Sequence, residues 1–240
     1  MIASFISDLH LQSAAEPLAG ILQRYLHGQA RQCSRLFVLG DLFEAWIGDD
    51  DRNPLADQLA EDFAALAASG VQVYFQHGNR DFLLGAAFAG RAGLRLLPDP
   101  CVVELAGRAV LLSHGDRYCT SDTAYQSFRQ QVRDPAWQQA FLARPLADRQ
   151  AFARQARAES AAHQQGRSME LGDVEPAAVD AELALFGVDL LIHGHTHRPA
   201  MHDHRVDGRR CQRWVLADWR EHGEALVMEA DGSLRRETLT

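Results

Sequence analysis

The sequence predicts an α/β protein with one domain and a helical insertion, and three observations carry that reading. Short apolar runs of strand type alternate with amphipathic helical stretches. Five of those strand runs end on Asp, Asn or His, where open α/β sheets place ligands. Between about residues 122 and 169 the strand pattern stops and only helical spacing remains.

The elements follow in order. Ile2–Ser7 reads as a strand, and Glu16–Gln29 as a helix with Leu18, Ile21, Leu22, Tyr25 and Leu26 on one face. Arg35–Leu39 is the second strand, and a helix over Asn53–Ser69 is stopped by Gly70. Val71–Gln76 is the third strand, followed by a helix over Asp81–Arg91. Val102–Leu105 and Ala109–Ser113, joined through Gly107-Arg108, form a hairpin. The insertion contains several helices broken at Pro135 and Pro145, with Tyr125, Phe128 and Val132, then Trp137, Phe141 and Leu142, at helical spacing. A helix over Pro176–Phe186 returns the chain to strand Asp189–Ile192, and hairpins turning at Gly208 and Asp231-Gly232 close it. The whole of 1–240 is read as one domain, with 122–169 capping its functional end.

Composition narrows the function classes. At 240 residues the chain can bury a sizeable core, and 47% hydrophobic with 23% charged residues is ordinary for a soluble globular protein. The net charge of −8 argues against a nucleic-acid-binding surface. All 24 basic residues are Arg, which grips phosphate with a planar fork where Lys acts as a point charge. The four cysteines form no C-x-x-C pair, so reduced thiols in the cytoplasm are expected. The first residues read as a strand interrupted by Asp8 and His10, not as a signal peptide, and no run approaches the roughly 18 apolar residues of a membrane span. Any membrane contact is expected from the surface, and the protein is expected to be a monomer.

The strand ends carry the chemistry. Asp8 and His10 are two apart, as are His195 and His197, so each pair can reach one ion. Asp41, Asn79 and His114 end the three intervening strands, and a carboxylate such as Asp41 can bridge two ions. Taken singly, an Asp in a turn or a lone His is commonplace; the ordered set of five segments is not. Nitrogen and oxygen donors without sulfur suit Mn²⁺, Fe or Zn²⁺. Two such ions roughly 3.5–4 Å apart polarise a phosphoryl oxygen and activate water. His77 and His193 are expected to support the ligands from behind or to be packing groups, His202, His204 and His222 to be surface groups, and Asp49-Asp50-Asp51 a solvated loop.

The order Asp8-x-His10, Gly40-Asp41, Gly78-Asn79-x-Asp81, His114-Gly115-Asp116, Gly194-His195-x-His197 resembles the calcineurin-like metallophosphoesterases. The longer blocks Gly40–Asp50, Gly78–Phe82 and His193–Pro199, with the insertion after Asp116, resemble those members that cleave the pyrophosphate of UDP-2,3-diacylglucosamine in bacterial lipid A synthesis. The resemblance implies a four-layer α/β/β/α sandwich and two divalent ions, most often Mn²⁺. One ion would sit on Asp8, His10, Asp41 and His197, and the other on Asp41, Asn79, His114 and His195. It implies that Asn79, Arg80 and His195 act at the reacting phosphoryl group. Polar substrate contacts map to Asp122, Ser160, Gln164 and Arg167, with Gln164 and Arg167 departing from the usual residues. It further implies a lipid-linked UDP-sugar substrate and peripheral attachment to the cytoplasmic face of the inner membrane.

Most of the superfamily carries His where this chain has Arg80. Arg is always charged and cannot give up a proton, so it fits a leaving group that is itself a phosphate. Tyr125, Phe128 and Phe141, helped by Phe82 and Leu83, are expected to hold acyl chains, and Arg157 a phosphate or sugar. Two other functions compete: a phosphoesterase acting on a soluble nucleotide, and a binding module without chemistry. The first would need no apolar lid; the second would have lost ligands, and all seven are present.

Overall fold

The computed structural model describes residues 1–165 and 173–240, with the side chains of the helix before the gap described through residue 158. Strands β1 (Ala3–Ile6), β2 (Arg35–Leu39), β3 (Gln72–Gln76) and β4 (Leu94–Leu97) run parallel in one sheet. Helices α1 (Pro17–His27), α2 (Pro54–Ala68) and α3 (Ala86–Ala92) connect them. The second sheet holds β5 (Cys101–Leu105), β6 (Arg108–Ser113), β7 (Leu190–His193), β8 (Ala200–Val206) and β9 (Arg209–Val215) in the order β5-β6-β7-β9-β8. The chain then returns as β10 (Gly223–Met228) and β11 (Leu234–Leu239), completing the first sheet as β11-β10-β1-β2-β3-β4.

Side-chain alternation along the strands builds four layers. Phe5 and Phe37 point one way and meet Leu112, Leu190 and Ile192 of the second sheet in a core between the sheets. Ile6, Leu36 and Val38 point the other way onto Leu22, Leu59 and Phe63 of α1 and α2. Leu111, Leu191 and Cys211 form the outer face of the second sheet, covered by Val179 and Leu183 of α7 (Pro176–Phe186). The result is an α/β/β/α sandwich. β1 is buried along its whole length, as expected for a strand covered on both faces.

The parallel strands of both sheets end at one edge of the sandwich. There the loops pair with one another: Leu9 N donates to Asp41 O at 2.9 Å, Gly194 N to His114 O at 2.8 Å, and Trp219 N to Asp8 O at 3.1 Å.

The insertion folds as α4 (Thr123–Val132), α5 (Pro135–Leu142) and α6 (Leu146–Gln165). Asp122 and Asp134 cap α4 and α5 by accepting from Tyr125 N and Trp137 N, and Pro135 takes the first-turn position that tolerates a missing N–H. Arg129 ties α4 to the main domain through Asp116 (2.9 Å) and Asp99 (3.1 Å), and Arg133 donates to Gly78 O at 2.9 Å. Trp137 stacks on Phe141 at 4.9 Å, Phe152 meets Phe141 edge-on, and this cluster joins the core under the helical layer.

Several expectations are corrected. The helix expected over Asp81–Arg91 begins at Ala86, because the Asp81 carboxylate accepts from Gly78 N and Leu42 N and holds its own segment in a turn. The edge strand β4 went unread: four residues directly after the helix-ending Gly93 give too short a pattern. Phe141 is 1% exposed and packed inside the core, so it fixes the insertion in place and does not offer a surface to a substrate. Asp49-Asp50-Asp51 is no free loop. Asp49 accepts from Gly85 N and Phe88 N, and Asp50 takes the fork of the buried Arg149. His204 is tucked between Asp180, at 2.6 Å, and Arg213.

Replacing Phe141 by Ala removes a large side chain from a sealed contact and is expected to weaken docking of the insertion by about 3 kcal/mol. Amide exchange in α4 and α5 should accelerate while β1 and β2 stay protected. Unchanged exchange would return Phe141 to a surface role.

Candidate metal centre

Seven side chains from five strand ends converge at the carboxyl edge. Asp8 and His10 follow β1, Asp41 follows β2, Asn79 follows β3, His114 follows β6, and His195 and His197 follow β7. Five of the seven have left-handed backbones: φ is +56° at Asp8, +51° at His10, +53° at Asp41, +71° at His195 and +55° at His197. Outside glycine that conformation is sparse, though Asp and His adopt it more readily than most, and a cluster of such strain marks a functional site.

Small residues make the convergence possible. A Cβ at Gly78 would collide with the Asp41 carboxylate and backbone, and one at Gly194 with Ser7 Oγ and Asp8 Oδ2. Glycine is required at both positions because the donors leave no room.

The donors fall into two groups around Asp41. On one side His10 Nε2 and His197 Nε2 lie 3.2 Å apart, and His197 Nε2 is 3.4 Å from Asp8 Oδ1. On the other, His114 Nε2 and His195 Nδ1 each lie 2.9 Å from Asn79 Oδ1. Asp41 faces both groups, with Oδ2 3.8 Å from His10 Nε2 and Oδ1 3.8 Å from His114 Nε2. Nitrogens crowded this closely share a focus; they do not make a conventional hydrogen-bond network. The set fits divalent cations: mixed imidazole, carboxylate and amide donors, no thiolate, and a carboxylate between two foci. Among the described residues, Asp8, His10 and His197, and Asp8, Asp41 and His114, form compact groups able to hold an ion.

The electrostatics agree with that fit. Burial opposes ionisation of Asp8, yet His197, His114 and Ser7 hold its carboxyl below the usual carboxylate range. Burial opposes protonation of His114, but Asp41, Asp8 and Asp116 outweigh it and its pKa rises to about 9. The cluster therefore recruits positive charge. Burial and the nearby His114 lower the pKa of His195 to about 4, leaving it the neutral imidazole that a metal requires.

Neighbours orient these donors, and of them only His193 was expected in a supporting place. Glu44 Oε2 lies 3.1 Å from His10 Nδ1, turning Nε2 inward. His114 Nδ1 donates to Leu39 O at 2.8 Å with the same effect. Asp218 Oδ2 stands 3.4 Å from His197 Nδ1. Beneath the Gly194 turn, buried His193 donates from Nδ1 to Gly194 O, and the buried guanidinium of Arg213 donates to its Nε2 at 3.2 Å. Glu44 stood within the Gly40–Asp50 block, which was its only sequence signal.

The expected substrate contacts divide. Arg80 is at the site: its N–H donates to Asp41 at 2.8 Å, its Nε is buried without a hydrogen-bond partner, and Nη1 lies 3.7 Å from Glu44. Tyr125 lays its ring along His195, centroids 6.0 Å apart, and donates its hydroxyl to Asp116 at 2.7 Å. Burial and Asp116 push that phenol well above its ordinary pKa. Phe128 is half-buried on the same helix. Asp122 caps α4, Phe82 packs on Trp137, and Leu83 is buried in the core. Arg157 is half-buried on α6 and donates to Ala153 O at 3.3 Å. Ser160 and Gln164 belong to α6 but their side chains lie outside the described residues, as does Arg167 altogether.

Residues 4–199 match the calcineurin-like phosphoesterase family. The chain is 52% identical over 239 residues to a protein named UDP-2,3-diacylglucosamine hydrolase from Xanthomonas campestris pv. campestris, covering 97% of each chain. It is 53% identical to one of the same name from Stenotrophomonas maltophilia, covering 97% of this chain and 96% of that one. A third, from Xanthomonas axonopodis pv. citri, is 51% identical over 240 residues, covering 97% of each.

Asp41 is the donor shared by both groups, so Asp41→Ala should lower bound metal and cut turnover at least about a hundredfold. Glu44→Ala should leave the fold intact and weaken metal binding by about tenfold or more through misorientation of His10. Metal analysis after dialysis against Mn²⁺ reads both; full occupancy in Asp41→Ala would remove it from the centre.

Proposed function

The chain belongs to the calcineurin-like phosphoesterases, and from that premise we propose that it hydrolyses the pyrophosphate of UDP-2,3-diacylglucosamine to 2,3-diacylglucosamine 1-phosphate and UMP, a step of lipid A biosynthesis. The observation that carries this reading is the match to relatives of that name across nearly the whole chain, insertion included.

Water displaces one phosphate from the other: a P–O bond forms to the water oxygen and the P–O bond to the bridging oxygen breaks. Two divalent ions, Mn²⁺ in our reading, held by Asp8, His10, Asp41 and His197 and by Asp41, Asn79, His114 and His195, would supply Lewis acidity and activate the water. The chain's own groups do the rest. Arg80, whose buried Nε is unpartnered, neutralises charge on a phosphate oxygen. The departing group is a phosphate, stable as an anion, so a permanently charged Arg serves where an alkoxide would need a proton donor. Asn79 and His195 flank the reacting phosphoryl group, and Tyr125, kept as a neutral phenol, walls it beside His195.

The insertion supplies the apolar side. Phe128 and the Tyr125 ring offer α4 surface to the acylated sugar, while Phe141 and Trp137 brace that surface from behind. Each acyl CH₂ taken from water is worth about 0.8 kcal/mol, so even a partial channel discriminates strongly. Ser160, Gln164, Arg167 and Arg157 complete the polar contacts in this reading, and Asp122 holds the start of α4. No helix among the described residues is long and apolar enough to cross a membrane. We place the working protein on the cytoplasmic face of the inner membrane, approached from its surface, where each basic residue adds about 1 kcal/mol toward anionic lipid.

Phosphate-product analysis with UDP-diacylglucosamine, a soluble UDP-sugar, a cyclic nucleotide and a dinucleoside tetraphosphate should show turnover of the first, loss on chelation and recovery with Mn²⁺. Preference for either nucleotide would overturn the assignment. Arg80→Lys should lower kcat about tenfold or more with metal content intact, since it keeps the charge and loses the fork. Phe128→Asp should raise KM for the diacylated substrate well above any change for an unacylated analogue; equal changes would remove the insertion from lipid recognition.

A further inference from the structure

We propose that the cleft between α6 and the loops after β1 and β2 receives the nucleoside of the substrate, so that the two halves of the pyrophosphate leave the metal centre in opposite directions. This rests on the reading of a UDP-linked substrate given above.

The cleft has a volume of about 590 Å³, within the range of small-molecule sites. Gln12 and Ala14, from the loop after β1, line it together with Gln150, Ala153 and Arg157 of α6, and Glu44 lines the end nearest His10. Glu44 fixes where that end opens: its carboxylate touches His10 Nδ1 at 3.1 Å, so the cleft meets the donor set at its His10–His197 side. Tyr125, at the start of the apolar insertion surface, lies against His195 in the other group of donors. A pyrophosphate laid across both groups therefore points one arm toward Tyr125 and Phe128, and the other into the cleft.

The lining suits a nucleoside better than an acyl chain. Among the described residues, the side-chain amides of Gln12 and Gln150 make no hydrogen bond. Each offers a donor and an acceptor, as the imide edge of a uracil requires. An acyl chain would strip these amides and the Arg154 guanidinium of water without returning a partner. Glu44 and Asp51 can accept from ribose hydroxyls, and Leu55 supplies an apolar floor. Arg157 stands where the uridine-bearing phosphate enters.

Calorimetric titration of the Mn²⁺-loaded protein tests this with three probes: UMP, inorganic phosphate and 2,3-diacylglucosamine 1-phosphate. Ala153→Phe and Ala14→Phe narrow the cleft from α6 and from the loop after β1, and Gln150→Ala removes one amide from a partly exposed helix position where folding is not at risk. UMP binding should weaken about tenfold in the filled variants and about threefold in Gln150→Ala, with phosphate and the lipid product changed less than about twofold. Unchanged UMP affinity in Gln150→Ala and in whichever filled variants fold would overturn the proposal. Loss of lipid-product binding with UMP retained would also overturn it and make the cleft an acyl site. A wild-type protein that neither binds UMP nor turns over UDP-diacylglucosamine would sink the functional reading itself, whereas a wild type that does both, with indifferent variants, fails the cleft alone.

Discussion

Asp8, Asp41 and Asp81 are all buried at the edge where the two sheets meet, and buried carboxylates are costly unless cations or hydrogen-bond donors answer them. The rest of the site follows from how this is met. Asp81 is answered by two backbone N–H groups, from Leu42 and Gly78, and in accepting them it locks the loop after β2 to the loop after β3. Asp8 is answered by His195 N, at 2.9 Å, and by Ser7, which binds the loop after β7 to β1. Asp41 accepts from Arg80 N and turns its two oxygens toward imidazoles on both sides. The acids thus act first as fasteners between strand ends. The charge left over after that fastening is what divalent cations would neutralise.

The same logic extends to the insertion. Asp116, fully buried just after β6, is met by Arg129 at 2.9 Å and by the Tyr125 hydroxyl at 2.7 Å. Burial works against its ionisation, but His114, Arg129 and Arg133 hold it below the usual carboxylate range. One carboxylate therefore ties α4 to the segment carrying His114 and sets the Tyr125 ring against His195. Arg133 adds a bond to the carbonyl of Gly78, next to Asn79. The insertion is positioned by charge at the metal edge and by the Trp137–Phe141–Phe152 cluster farther out, which leaves Phe128 and Tyr125 as the aromatic surface between these two attachments.

In the proposed reaction, Arg80 and Glu44 would give the site its bias toward an anhydride. They lie 3.7 Å apart, so Glu44 restrains a guanidinium whose Nε has no partner of its own, while its other oxygen orients His10. An always-protonated group at this position stabilises anions but supplies no proton, a pattern suited to a phosphate leaving group.

Much of this was legible along the chain. The strand runs, the spacing of Asp8 with His10 and of His195 with His197, and the helices that follow Asp122 are local patterns, set by residue period and by turn chemistry; the expected end of the insertion at 169 lies outside the described residues. Which side chains share a focus is also nearly local, because parallel strands deliver their ends to one edge. Three things depended on tertiary structure. Phe141 read as substrate-facing because helical spacing identifies an apolar face without saying what covers it; the core covers it. Asp49 and Asp50 read as a solvated run because composition cannot show that the N–H groups of Gly85 and Phe88 and the buried Arg149 lie opposite. Glu44, Asp81 and Asp116 stood inside the motifs without a stated task, since what a carboxylate does there is defined by the partners that the fold brings to it. Periodicity and spacing are properties of neighbours in the chain, whereas the pairing of buried charge is a property of neighbours in space.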